Sequence, residues 1–172
     1  MSSESEQLDE ILGVSFGDIP PELAGVLVDF HIRADATAGG KEGTRGPLLI
    51  DAGVLKGLID GLPAVLDAMR EYGADRVKPR PMLLPAWNDG PRWNPAGGQL
   101  HICAGFGVNG MDPELGAAVM FIRSTSVAHA PGTYDSAEYL MGWSALLEFQ
   151  DALPKVLRKL EQRTRTNRGD RG

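Results

Sequence analysis

The chain has 172 residues, of which 42% are hydrophobic and 23% are charged, and its formal net charge at pH 7 is −6. This length suits one domain, and this apolar content is sufficient for a core that needs neither disulfides nor a structural metal. Cys103 is the only cysteine, which excludes an intramolecular disulfide and favours a reducing, cytoplasmic compartment. No stretch approaches the roughly 20 apolar residues of a membrane span, so we expect no membrane partner. Frequent Ala, Gly and Arg with rare Lys indicate a bacterial or phage gene.

The two halves of the chain share one series of short motifs: Pro-Glu-Leu, then Phe and Ile-Arg, then Asp-x-Leu-Pro-x-Val-Leu. The series begins at Pro21 in the first half and at Pro113 in the second. A series repeated in the same order is typical of an internal duplication. We therefore predict a single domain, 1–172, that consists of repeat one (8–71), a connector (72–98), repeat two (99–162) and a basic tail (163–172).

The clearest predicted strand of repeat one lies at 25–36, after a weaker candidate at 8–17. Apolar and polar residues alternate along it, which is the period of a strand with one buried face. We expect the polar face to be solvated or to line a cleft. It carries Asp29, His31 and Arg33, and with His101 of repeat two these residues are our candidate site for a ligand or an anion.

Apolar residues at helical spacing follow in both repeats, after loops predicted at 37–46 and 127–135. Pro63 and Pro154 interrupt these patterns, so we expect each helix to bend or to restart, with Asp60 or Asp151 as the new N-cap. Asp135 with Glu138 has the form of a capping box before the second helix. The predicted core comprises Phe30, Leu55, Leu62, Leu66, Phe121, Leu146, Leu153 and Leu157.

The connector at 72–98 is longer than a duplication requires and is rich in Pro and Gly. Long connections in a compact domain are usually functional or flexible, and large aromatic side chains argue against a simple flexible linker. We therefore predict a protein-binding arm whose contacts are Trp87, Trp93, Arg92 and Arg80. The alternative is a loop that packs on its own subunit.

Few residues are candidates for catalysis or metal binding. Cys103 and His101 share a predicted strand face, and by residue type they are candidates for a nucleophile and its base. Together with His31 they also have the residue types of a set of metal ligands. Neither CxxC nor HxxxH spacing is present, and the glycine-rich run at 39–44 lacks the spacing of a phosphate-binding loop. We therefore predict no catalytic residue, no metal and no cofactor, and we expect a protein that is not an enzyme.

The tail differs in charge from the rest of the chain. Residues 155–172 carry a net charge of +5, which leaves −11 on the remainder. A basic tail can bind nucleic acid, here through Arg163, Arg165, Arg168 and Arg171, although an acidic body argues against this function. The alternative is that these cations only complement a helix dipole and are otherwise solvated.

These patterns predict an α+β fold of duplicated ββα units, with a mainly antiparallel four-stranded sheet and two kinked helices on one face. For function, we expect a non-catalytic binding or assembly protein that acts through protein–protein contacts and is homo-oligomeric. The alternatives are a nucleic-acid-associated protein that uses the tail, and a small-molecule-binding protein or enzyme with a site around His31 and His101.

Overall fold

Three strands followed by a helix occur twice along the chain, so the predicted α+β class is confirmed. The computed structural model describes residues 8–17, 24–34, 42–77, 100–126 and 134–169. The first set of elements is β1 (Asp9–Phe16), β2 (Val26–Arg33), β3 (Glu42–Ile50) and α1 (Ala52–Glu71), followed by a short 3-10 helix, Ala74–Arg76. The second set is β4 (His101–Asp112), β5 (Ala117–Ser126), β6 (Asp135–Gly142) and α2 (Trp143–Gly169).

The six strands close into a barrel in chain order. Strands within each half pair antiparallel, whereas the two junctions between the halves, β3 with β4 and β6 with β1, are short and parallel. The predicted four-stranded sheet of ββα units is therefore wrong, because each unit has a third strand. Closure of the barrel leaves no unpaired sheet edge among the described strands.

The first half of β3 lies in the loop predicted at 37–46, and β6 lies where the start of the second helix was expected. Only the last three residues of β3 form an apolar run, and β6 begins with polar residues that resemble a helix N-terminus. Pairing with the neighbouring strand decides the structure instead, since β6 follows β5 from Asp135 opposite Ser124 to Gly142 opposite Ala117. Asp135 and Glu138 are therefore strand residues, and the predicted capping box is wrong.

Both helices continue through their prolines. Pro63 lies inside α1 and Pro154 inside α2, so the predicted restarts at Asp60 and Asp151 do not occur. The N-cap of α1 is Asp51, whose Oδ1 accepts a hydrogen bond of 2.9 Å from the backbone N–H of Val54. Neither helix of the described residues has an 18-residue stretch that is long and apolar enough to cross a membrane.

One core joins the inward side of the barrel to both helices. Its centre is a series of phenylalanine contacts: Phe30 of β2 lies 5.8 Å from Phe106 of β4, measured between ring centroids. Phe106 lies 5.6 Å from Phe149 of α2, and Phe149 lies 6.1 Å from Phe16 of β1. Aromatic pairs at these separations are stabilising beyond the apolar area that they bury. The two repeats therefore share a single core.

Six of the eight predicted core residues are buried, whereas Phe121 and Leu157 are only half-buried. Phe121 belongs to the outward side of β5, opposite Gly107 of β4. A Cβ atom on Gly107 would lie 2.9 Å from Cε1 of Phe121, so the ring covers the glycine closely. A bulky residue at 107 would displace the Phe121 ring.

Two leucines of α2 provide a matched test of this core. Leu153 is completely buried and Leu157 is half-buried. We expect Leu153→Ala to lower the free energy of unfolding by roughly 2–5 kcal/mol, because it leaves a cavity in the shared core. Leu157→Ala, with the same chemical change, should cost about 1 kcal/mol. Denaturant unfolding measures both values, and equal losses would show that the buried face of α2 is assigned wrongly.

Candidate functional site

A cavity of about 490 Å³ opens on the inward side of the barrel. Five of the six strands contribute to its wall, and both repeats take part. Six of the ten lining residues are apolar, and four of these six also belong to the shared core. The apolar lining residues are Phe30, Pro47, Leu48, Ile122, Ala137 and Tyr139.

Polar groups lie along one part of this wall. Strand pairing explains their grouping, because Ser124 of β5 lies opposite Asp135, the first residue of β6. His101, the first residue of β4, lies beside Leu48 of β3 and opposite Ser126 of β5. The polar lining residues are His101, Ser124, Asp135 and Ser136, and three of them are strand termini or their neighbours.

The strand register separates the two histidines that were predicted to share a site. His101 is exposed and lines the cavity, whereas His31 is 2% exposed and lies on the opposite side of β2 from Phe30. The buried Nε2 atom of His31 makes no hydrogen bond within the described part of the chain, although the residue has other interactions. The strand register therefore separates His31 from His101, and of the two only His101 lines the cavity.

The predicted open face of β2 is also wrong. Asp29 is half-buried, and Arg33 is buried like His31. Because β2 is flanked by β1 and β3, His31 lies between Gly13 and Thr44, and Arg33 lies between Glu10 and Glu42. Burial raises the pKa of the Asp29 carboxyl above its usual range. Asp29, His31 and Arg33 are therefore shielded from solvent, fully or in part, and do not line the cavity.

Cys103 does not have the properties of a catalytic nucleophile. Its thiol is buried, and Sγ donates a hydrogen bond of 3.4 Å to the carbonyl oxygen of Gly105. Burial raises the pKa of Cys103 to about 11; the contact with Gly105 opposes this shift, and the carboxylate of Asp51 adds to it. The thiolate is the reactive form of cysteine, and at neutral pH this side chain is a protonated thiol. The predicted pairing with His101 as a base is therefore unsupported.

The described residues contain no group of three His, Cys, Asp or Glu side chains arranged to hold a metal ion. Of the predicted partner-binding residues, Trp87, Trp93, Arg92 and Arg80 lie outside the described residues. In the tail, Arg163 is exposed on α2, and the structure does not describe the side chains of Arg165, Arg168 and Arg171. These predictions stay predictions.

A second concavity, of about 510 Å³, lies outside the barrel at the start of α2. We call it the α2 groove, and its apolar floor includes Leu12, Leu115 and Trp143. The Arg70 guanidinium lies 5.5 Å from the centre of the Trp143 ring, a cation–π distance that links α1 to this end of α2. Sequence analysis predicted neither the groove nor the cavity residues of β6, because it did not predict the strands β3 and β6.

Comparison with known proteins adds nothing to this geometry: no family model, no curated protein and no solved structure matches the chain. The function is therefore argued from the cavity itself.

The reactivity of Cys103 tests whether its thiol is buried. We expect native protein at pH 8 to react with iodoacetamide far more slowly than the chain unfolded in guanidinium, because the thiol is buried and its pKa is raised. Mass spectrometry of timed samples measures both rates. Equal rates in the folded and unfolded states would show that Cys103 is accessible and would return it to the list of candidate nucleophiles.

Proposed function

We propose that this protein binds a small, largely apolar molecule in the barrel cavity without catalysing a reaction on it. The observation that supports the proposal is the cavity: about 490 Å³, lined by six apolar residues and by four polar residues that are grouped together. Small-molecule sites in proteins have this size, and they combine apolar walls with polar groups that orient the ligand. A wall built from both repeats is also where a duplicated fold would place a ligand.

The polar side chains define the class of ligand. Asp135 supplies an exposed carboxylate, and His101 supplies an imidazole on the neighbouring part of the wall. A carboxylate accepts hydrogen bonds and attracts a cationic group, while the serines at 124 and 136 both donate and accept. The preferred ligand therefore has an apolar body, which contacts Phe30 and Ile122, and one basic or hydrogen-bond-donating group.

The other two functions have less support. Protein binding through the connector depends on residues outside the described part of the chain, and so does nucleic-acid binding through the tail arginines. The acidic remainder of the chain, at −11, also disfavours a groove that follows phosphates. Both remain proposals that the cavity neither requires nor excludes.

Filling the cavity tests the proposal. We expect the neutral dye Nile red to bind the wild-type protein with a blue-shifted increase in fluorescence, and Ala137→Trp to lower its affinity by at least about tenfold. Ala137 is half-buried in the wall, and an indole there occupies the space that the dye needs. A fluorescence titration at constant ionic strength measures the affinity.

The matched control is Ala145→Trp. Ala145 is also a half-buried alanine beside the core, but it lines the α2 groove. Binding should survive this change. Wild-type protein that does not bind the dye, or a loss of affinity that is the same in both variants, would contradict the proposed function.

A further inference from the structure

The solvent-facing side of α2 carries segregated charge. Its buried residues, Leu146, Phe149, Leu153, Val156 and Leu160, recur every three or four positions and face the core. Among the exposed residues, one series recurs with the same spacing, and Pro154, Lys159 and Arg163 are exposed beside it. Read from the N-terminus, this stripe is Ser144, Glu148, Asp151, Lys155, Arg158 and Gln162, so it has an acidic half followed by a basic half.

The helix dipole does not account for this arrangement. The dipole acts on charges in the first and last turns, and α2 has no acidic residue in its first turn. Asp151 and Lys155 lie near the middle of a helix of 27 residues. A face that is negative along one half and positive along the other is complementary to a reversed copy of itself.

We propose that two copies of this chain associate through antiparallel contact of their α2 stripes. A twofold axis beside residue 153 places Glu148 opposite Arg158 of the partner subunit, and Asp151 opposite Lys155 of the partner subunit. The same operation gives the reciprocal pairs, so the contact is closed and does not propagate. Complementary charge of this kind sets the orientation of an interface and speeds its formation.

The α2 groove adds a second acidic residue at this end of the contact. Glu114 and Glu148 are exposed on its rim, and the groove lies at the N-terminal end of the stripe. In the antiparallel arrangement, Arg163 of the partner subunit lies level with Trp143, at this end of the groove. Arg163 of the same chain does not, since it lies about 22 Å along the helix from Glu148, at 1.5 Å of rise per residue.

The inference is separate from ligand binding, because no residue of α2 lines the barrel cavity. It also differs from an interface formed by the connector. The partner is a second copy of this chain, and the contact is electrostatic, so association should weaken as the salt concentration rises.

Charge exchange tests the proposal. One variant carries Glu148→Lys and Asp151→Lys, and the other carries Lys155→Glu and Arg158→Glu. In the proposed pair each variant faces only its own sign, so each should be a monomer under conditions where the wild type is a dimer. An equimolar mixture should form a dimer that contains one chain of each kind. Sedimentation equilibrium at low and high salt gives the mass, and native mass spectrometry identifies the chains in the mixture.

The control is Asp60→Lys with Asp67→Lys, which makes the same change in net charge as the first variant but at exposed positions of α1. It should remain a dimer, and circular dichroism should show that all variants keep their helix content. A wild-type protein that is monomeric at low salt would overturn the proposal. So would variants that stay dimeric, which would place the interface elsewhere, or a mixture in which the mixed dimer does not form.

Discussion

The contact of Phe149 with two strands of different repeats is the constraint on which the rest of the structure depends. Through this one ring, α2 touches Phe16 of β1 and Phe106 of β4, and Phe106 in turn touches Phe30 of β2. The parallel junctions between the repeats are only two or three residue pairs long. Side-chain packing therefore joins the halves at least as much as backbone pairing does, and it fills the part of the barrel that faces the helices.

Phe30 lies at the boundary between the packed core and the cavity. It contacts Phe106 in the core, and it also forms part of the cavity wall with Leu48 and Ile122. The helices supply side chains to one part of the barrel interior, whereas the described residues that line the cavity all belong to strands. A cavity of this origin needs no dedicated motif, so the sequence alone did not predict it.

Hydrophobic periodicity predicted the strands and helices whose residues contact the core. It failed for the strands that are determined by pairing with a neighbouring strand. Phe30, Leu62 and Leu153 are buried as their periodicity predicted, although the alternation along β2 wrongly predicted an open polar face. By contrast, β3 and β6 have little apolar pattern, so they were missed, and the cavity was missed with them. The shared motifs also misaligned the repeats. Ile50 and Met141, each two residues before a helix, pair with Val26 and Ala118, and this register places Ile122, not Phe121, at the position of Phe30. Similar letters at a similar offset thus predicted two units of related order without identifying equivalent positions.

Methyl NMR during a Nile red titration tests the central claim most directly, namely that the barrel encloses a ligand site beside a filled core. The account predicts that the methyl signals of Leu48 and Ile122 shift with the dye, while those of Leu62 and Leu153, which lie in the helix-facing core, stay in place. Shifts concentrated at Leu12 and Leu115 in the α2 groove, or no shifts at saturating dye, would contradict it.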